Sequence, residues 1–364
     1  MYVSTLISLP SRSTDYCLQI LAESTFWREL HFTSATRLVA CTQALGLAKN
    51  RGNPALCWIR AISLQIRSPE VPVWVASACE LLAHTTQLRN LNIAPCTLSL
   101  VSSATLSART SLRTLDLHLS PVDPPFSHFR IASFPALECL SICMLHPDWA
   151  QEDGALFATC TLPHLHTLHW QGHPSAGFLS FLADARFDAL QNVQLRAVSQ
   201  LSETSVAGLT AFLAAHALQR LTLALIYADE LERVLPSART IALMPLYGVP
   251  GAIPPPTLVA CLPPNIRALE LHGVARDEGL CPLLRALVDT APRTLTDVIL
   301  LTSSPGRFFT WTSPSVTEAV SGEEFALMGR LLMCAIALSS RGVDVCDRSG
   351  CTIRDCFSTY TTCA

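Results

Sequence analysis

One hexapeptide, apolar-x-x-apolar-x-apolar, recurs along this chain and constrains its fold more than any other feature. It reads WRELHF from Trp27, IRAISL from Ile59, LRNLNI from Leu88, LRTLDL from Leu112 and LECLSI from Leu137. It returns as LHTLHW from Leu165, LQNVQL from Leu190, LQRLTL from Leu218, ARTIAL from Ala238, IRALEL from Ile266 and LTDVIL from Leu295. The middle apolar residues are Leu30, Ile62, Leu91, Leu115, Leu140, Leu168, Val193, Leu221, Ile241, Leu269 and Val298. Their mean spacing is about 27 residues, a period that signals stacked structural units rather than one irregular core. A single such hexapeptide means little in a leucine-rich chain; eleven in sequence do.

The last two apolar positions stand two residues apart, which puts both on one face of a β-strand. Between the hexapeptides, Val75–His84, Gly177–Asp184, Val206–His216 and Leu280–Thr290 carry apolar residues at helical spacing. Strand, turn and helix repeated at this period is the pattern of a leucine-rich repeat. The expected class is therefore α/β. The expected architecture is a curved leucine-rich-repeat solenoid with a parallel inner sheet and helices and irregular segments outside. The repeats are degenerate. The Asn or Cys that normally follows the hexapeptide appears at Cys96 and is missing from most others.

The same reading divides the chain. Residues 1–26 form an N-terminal segment, 27–302 the solenoid of about eleven repeats, 303–321 a loop, 322–350 a C-terminal cap and 351–364 a tail. The cap follows from Ser321 and Glu324 in capping-box spacing, a helical run to Arg341, Gly342 as helix stop, and Val343 and Val345 in strand alternation. The Pro-rich stretch Val249–Pro264 is expected to be an irregular outer segment, because the hexapeptide resumes at Ile266.

Composition narrows the partners. Half the residues are hydrophobic and 15% are charged, which does not suit a disordered chain. The net charge of −3 gives no overall basic footprint for nucleic acid. The longest apolar run near the C-terminus, Leu331–Leu338, is far shorter than the ~20 residues of a membrane span. The first residues lack a basic signal-peptide start, and Pro10 interrupts them. Fifteen scattered cysteines suit reduced thiols, so the expected compartment is cytoplasm or nucleus. Lys49 is the single lysine among 25 basic residues, a bias that suits either a GC-rich genome or avoidance of lysine modification.

No catalytic or cofactor motif is present, and acids and histidines do not cluster as an acid–base pair, so neither an enzyme nor a cofactor is expected. Two metal readings were weighed. His164, His166, His169 and His173 straddle core positions and fall on differing faces of strand and turn. Cys346, Cys351, Cys356 and Cys363 are spaced more widely than the usual Cys pairs of structural zinc. Neither is taken as a site.

In a solenoid, residues flanking the last two apolar positions line the inner face. The expected partner-binding set is Asn92, Asp116, His118, His169, Gln171, Asn192, Gln194, Arg196, Arg220 and Glu270, on a face about 50 Å long at ~4.8 Å per strand. Ala242 and Met244 interrupt it with apolar side chains. Mixed polarity with few charges suits a protein or peptide on the concave face.

The chain resembles the fungal-type F-box/leucine-rich-repeat proteins. The resemblance rests on FWRELHFTSATRLVA (Phe26–Ala40), the ladder of hexapeptides from residue 59 to 300, and the closing helix followed by RGVDV (Arg341–Val345). It implies a non-catalytic interaction module, the substrate-recognition part of an F-box-like ubiquitin-ligase subunit that meets a Skp-type adaptor through an N-terminal F-box. That F-box pattern is not recognisable here. Leu9-Pro10 and Cys17 to Trp27 only echo it, so residues 1–26 read as an F-box remnant or a linker. The alternative is a free-standing leucine-rich-repeat scaffold with no ligase link.

Overall fold

The computed structural model describes residues 25, 27–46, 55–66, 71–96, 110–119, 134–144, 162–173, 178–179, 182, 187–197, 199–224, 228–247, 255–272, 280–301, 303–304, 307–308, 322–347, 350–352 and 355. The chain forms two compact units. One comprises Met1–Met144 with Thr161–Leu165, the other Leu145–Cys160 with His166–Ala364.

In the first unit five parallel strands follow one another in chain order: β1 (Glu29–Phe32), β2 (Ala61–Leu64), β3 (Asn90–Cys96), β4 (Thr114–Leu119) and β5 (Cys139–Met144). Each begins at the third residue of a hexapeptide. The middle apolar residues align: Leu30 with Ile62, Ile62 with Leu91, Leu91 with Leu115, Leu115 with Leu140. Along β5, half-buried and buried residues alternate strictly. Leu91, Ile93, Leu115, Leu117, Leu140 and Ile142 are all essentially inaccessible. Each such residue contributes roughly 1.5–3 kcal/mol of burial, which holds the alternation in place. Helices α1 (Ala35–Ala44), α2 (Ala55–Trp58) and α3 (Val71–His84) lie between the early strands, α1 packed beside α3.

In the second unit the parallel order is β6 (Thr167–Gly172), β7 (Asn192–Ala197), β8 (Ala217–Ala224), β9 (Thr240–Tyr247), β10 (Ile266–His272), β11 (Asp297–Leu301) and finally β14 (Asp344–Cys346). The helices are α4 (Glu203–Ala215), α5 (Ala228–Val234), α6 (Pro255–Ala260), α7 (Cys281–Thr290) and α8 (Gly322–Ser340). Parallel neighbours need a crossover of a dozen residues or more, and these helices, with the segments between strands, fill it. Ser202 caps α4 by accepting a hydrogen bond from the Ser205 N–H at 3.1 Å.

A second signal precedes the strands. Phe134-Pro135-Ala136-Leu137, Leu162-Pro163-His164-Leu165, Phe187-Asp188-Ala189-Leu190 and Leu235-Pro236-Ser237-Ala238 each close a turn with an N–H to C=O bond from fourth residue to first. Proline at the second place presets three of the four turns, Asp188 stands there in the other, and the first residue of each is buried. Hydroxyls tie successive turns: Ser111 Oγ donates to the Leu88 carbonyl at 2.9 Å, and Thr294 Oγ1 to that of Ile266 at 2.7 Å.

Three expectations are corrected. Ile241 pairs with Leu218 and Ile266, while Met244 pairs with Leu269. The ninth hexapeptide is therefore Ile241-x-x-Met244-x-Leu246, and Met244, fully buried, belongs to the core rather than to the polar face. Both readings satisfy the apolar pattern; pairing with both neighbours selects one. Within the Pro-rich stretch, α6 starts at Pro255, because proline is tolerated in a first helical turn. The loop at 303–321 contains a short antiparallel pair, β12 (Ser303–Ser304) with β13 (Arg307–Phe308).

The stretch read as a C-terminal cap contains α8 and β14. Gly342 adopts φ +84°, and the Gly342 and Val343 N–H groups bond to Ser339 and Leu338 carbonyls in a Schellman arrangement. Arg341 donates to the Leu287 and Val288 carbonyls in the last turn of α7. β14 then pairs with β11, Val345 against Val298. The Ser321 capping box lies outside the described residues.

The corrected register has a direct test. Met244→Ala should cost about as much as Leu269→Ala, roughly 2–5 kcal/mol each in urea unfolding, as for other emptied core sites. Ala242→Ser, at a half-exposed place on the same strand, should stay within about 0.5 kcal/mol.

Candidate functional site

Between the buried apolar positions, each strand turns its remaining side chains to the opposite face. In the first unit Asn92 and Asp116 occupy paired places on β3 and β4. Asn92 Nδ2 donates to Asp116 Oδ2 at 2.8 Å. His118 Nε2 lies 3.6 Å from Asp116 Oδ1, near enough for attraction and too far for a hydrogen bond. Asn92 Oδ1 and Asp116 Oδ1 are covered and have no hydrogen-bond donor among the described residues. A covered acceptor without a donor costs about 1–3 kcal/mol, so this cluster is poised for a donor. The three predicted residues of this unit thus come together as one acceptor-rich, anionic spot.

In the second unit His169, Gln194 and Thr222 align across β6, β7 and β8, as do Gln171 and Arg196 one row on. Gln194 and Arg196 are exposed, while Asn192, His169 and Gln171 are half-buried. Arg220 and Glu270 depart from the expected open display. Arg220 Nη2 donates to Glu270 Oε2 at 2.7 Å, reaching from β8 to β10 past the intervening β9. Glu270 keeps only 12% of its side-chain exposure. This pair is an internal tie of the face before it is a contact for anything else.

Four arginines fall outside the set read from sequence. Arg28, Arg60, Arg89 and Arg113 each stand immediately before a strand, at the second place of the first four hexapeptides; Glu138 holds that place in the fifth. Their rung is built by the backbone. The Arg60 carbonyl accepts from both the Arg89 and Asn90 N–H groups, and the Arg89 carbonyl from those of Arg113 and Thr114. The signal was legible as a column of Arg in aligned hexapeptides, but a reading limited to the strand positions passes over it.

The chemistry of nucleophiles and metals is weak here. Ten cysteines among the described residues are free thiols. Burial pushes Cys41 and Cys346 up to about 11, the latter helped by Asp297, Asp344, Asp347 and Asp355. Such thiols stay protonated near neutral pH and make poor nucleophiles. His164 and His166 are exposed, in the turn and at the strand edge, whereas His169 sits on β6 and His173 just beyond it. Among the described residues no group of three or more His, Cys, Asp or Glu could hold a metal ion. Cys356 and Cys363 lie outside the described residues.

The Arg220–Glu270 tie separates two kinds of face residue. Arg220→Ala takes one charged partner from the largely covered Glu270 and should lower stability by about 1 kcal/mol. Arg196→Ala, at an exposed neighbour, should change stability by less than about 0.5 kcal/mol. Chemical denaturation of the two variants beside wild type checks the order.

No protein-family model and no curated protein matches the chain.

Proposed function

We propose that the chain is a leucine-rich-repeat solenoid acting as a non-catalytic protein–protein interaction module. One observation supports the reading: the hexapeptides lie on parallel strands, and in those of β3, β4, β6 and β7 buried apolar residues alternate with more exposed polar ones. Such regular presentation of polar side chains at strand spacing suits recognition of a protein or peptide.

A role as the substrate-recognition part of an F-box-like ubiquitin-ligase subunit is the more specific form of this proposal. It rests on the resemblance of Phe26–Ala40, the hexapeptide ladder and the closing Arg341–Val345 segment to that family. The segment that would meet a Skp-type adaptor, residues 1–26, lies almost wholly outside the described residues. A free-standing scaffold is the alternative, and co-expression with a Skp-type adaptor distinguishes them: stable co-purification supports the ligase role, and its absence supports the scaffold.

For the face itself, the exposed pair Gln194 and Arg196 gives the cleanest variant, and Asn92 with Asp116 the second. Gln194→Ala/Arg196→Ala and Asn92→Ala/Asp116→Ala should each melt near wild type. At least one should lose a partner captured by cross-linking and identified by mass spectrometry, since a single interface hot spot is worth 2 kcal/mol or more. Undiminished capture by both variants would reject the strand face as the binding surface.

A further inference from the structure

The arginine column of the first unit is not part of the strand face, and it lines an open cleft of about 560 Å³. Among the described residues, Arg28, Arg60, Arg89 and Arg113 line it together with Trp58 and Glu29, so four arginines share the cleft with one acidic residue. Three strand steps of ~4.8 Å make the column about 14 Å long. Arg60 is held in place: its Nη1 donates to the Cys57 carbonyl at 2.6 Å and more weakly to that of Ile59 at 3.3 Å. Among the described residues the Arg28 and Arg89 side chains have no hydrogen-bond or ion-pair partner, so their donors are open to a ligand.

The column shows what satisfies it. Where the fifth arginine would stand, Glu138 takes its place, and its Oε1 receives Arg113 Nη1 at 2.6 Å. A carboxylate one strand step along therefore answers an arginine of the column directly. The backbone N–H groups at the rungs are already committed to the preceding carbonyls, so recognition falls to the side chains.

We propose that this column is a binding site for an acidic peptide segment, with carboxylates at i and i+2 of an extended chain meeting Arg28, Arg60 and Arg89. Extended residues rise about 3.4 Å each, so alternate carboxylates fall ~6.8 Å apart, within reach of guanidinium groups placed every ~4.8 Å on long side chains. Arginine's planar fork matches a carboxylate bidentately, which makes the pairing selective as well as attractive. Nucleic acid fits less well. Among the described residues lining the cleft Trp58 is the one aromatic ring, too few for a run of stacked bases. The site does not depend on the leucine-rich-repeat assignment, only on the register of β1 to β4.

The test uses the full chain and a fluorescein-labelled ten-residue peptide of alternating Glu and Ser, followed by anisotropy at low and at physiological salt. Saturable binding is expected, weaker at higher salt and absent for an all-Ser peptide. Arg28→Ala/Arg89→Ala should weaken it at least tenfold. Neither arginine has a side-chain partner among the described residues, so the variant should melt like wild type; Arg89→Glu is the second variant and should abolish binding. Arg267→Ala, at the corresponding place before Leu269 in the second unit, should leave it within about twofold. Failure to saturate at low salt, an equal loss in Arg267→Ala, or tighter binding of an oligothymidine of the same length would each overturn the proposal.

Discussion

Register between parallel strands is the constraint on which the rest of this structure depends. A strand of four to eight residues cannot satisfy its own backbone, so each hexapeptide needs a neighbouring strand to pair with. Side chains alternate with a period of two, and a slip of one residue would bring Leu91 and Leu115 to the water and Asn92 and Asp116 to the core. Burial of the aligned apolar pairs therefore fixes the backbone ladder and the polar face together. The Asn92–Asp116 bond and the Arg220–Glu270 tie exist because the register places those residues where they meet. So does the arginine column.

The turns and cap serve the same constraint. Phe134, Leu162, Phe187 and Leu235 bury their side chains at the first place of each turn and set the chain direction into the following strand. At the C-terminal end β14 pairs with β11 and α8 packs beside α7, which covers an edge that would otherwise leave unpaired N–H and C=O groups and the apolar side of α7 in water.

How much was legible in the sequence differs by element. Ten strands lie in the register of their hexapeptides and the ninth overlaps its own out of register, because period and apolar spacing act together and leave few alternatives. The helices Val71–His84, Glu203–Ala215 and Cys281–Thr290 extend or trim the apolar-periodic stretches by a few residues, since frayed ends depend on caps rather than on pattern. The ninth hexapeptide was ambiguous for a physical reason. Ile241, Leu243, Met244 and Leu246 satisfy two overlapping patterns, and only pairing with Leu218 and Leu269 decides between them. Of the candidate site residues, Asn92, Asp116 and His118 do gather. Arg220 and Glu270 bind each other across a strand, a contact between residues 50 apart that no local pattern encodes. The arginines before the strands were visible letters whose meaning depended on knowing that the strands stack in order.

The central claim, that each hexapeptide is a hydrogen-bonded parallel strand, is tested most directly by amide hydrogen exchange read by mass spectrometry on the intact chain. Segments 90–96, 114–119, 139–144, 192–197, 217–224, 266–272 and 297–301 should exchange slowly, together with the Arg113 and Asn192 amides that enter the ladder ahead of or at the start of their strands. Slow exchange at every one of these segments is the predicted result. Exchange as fast as in an unstructured peptide across several of them would contradict the parallel ladder and everything built on its register.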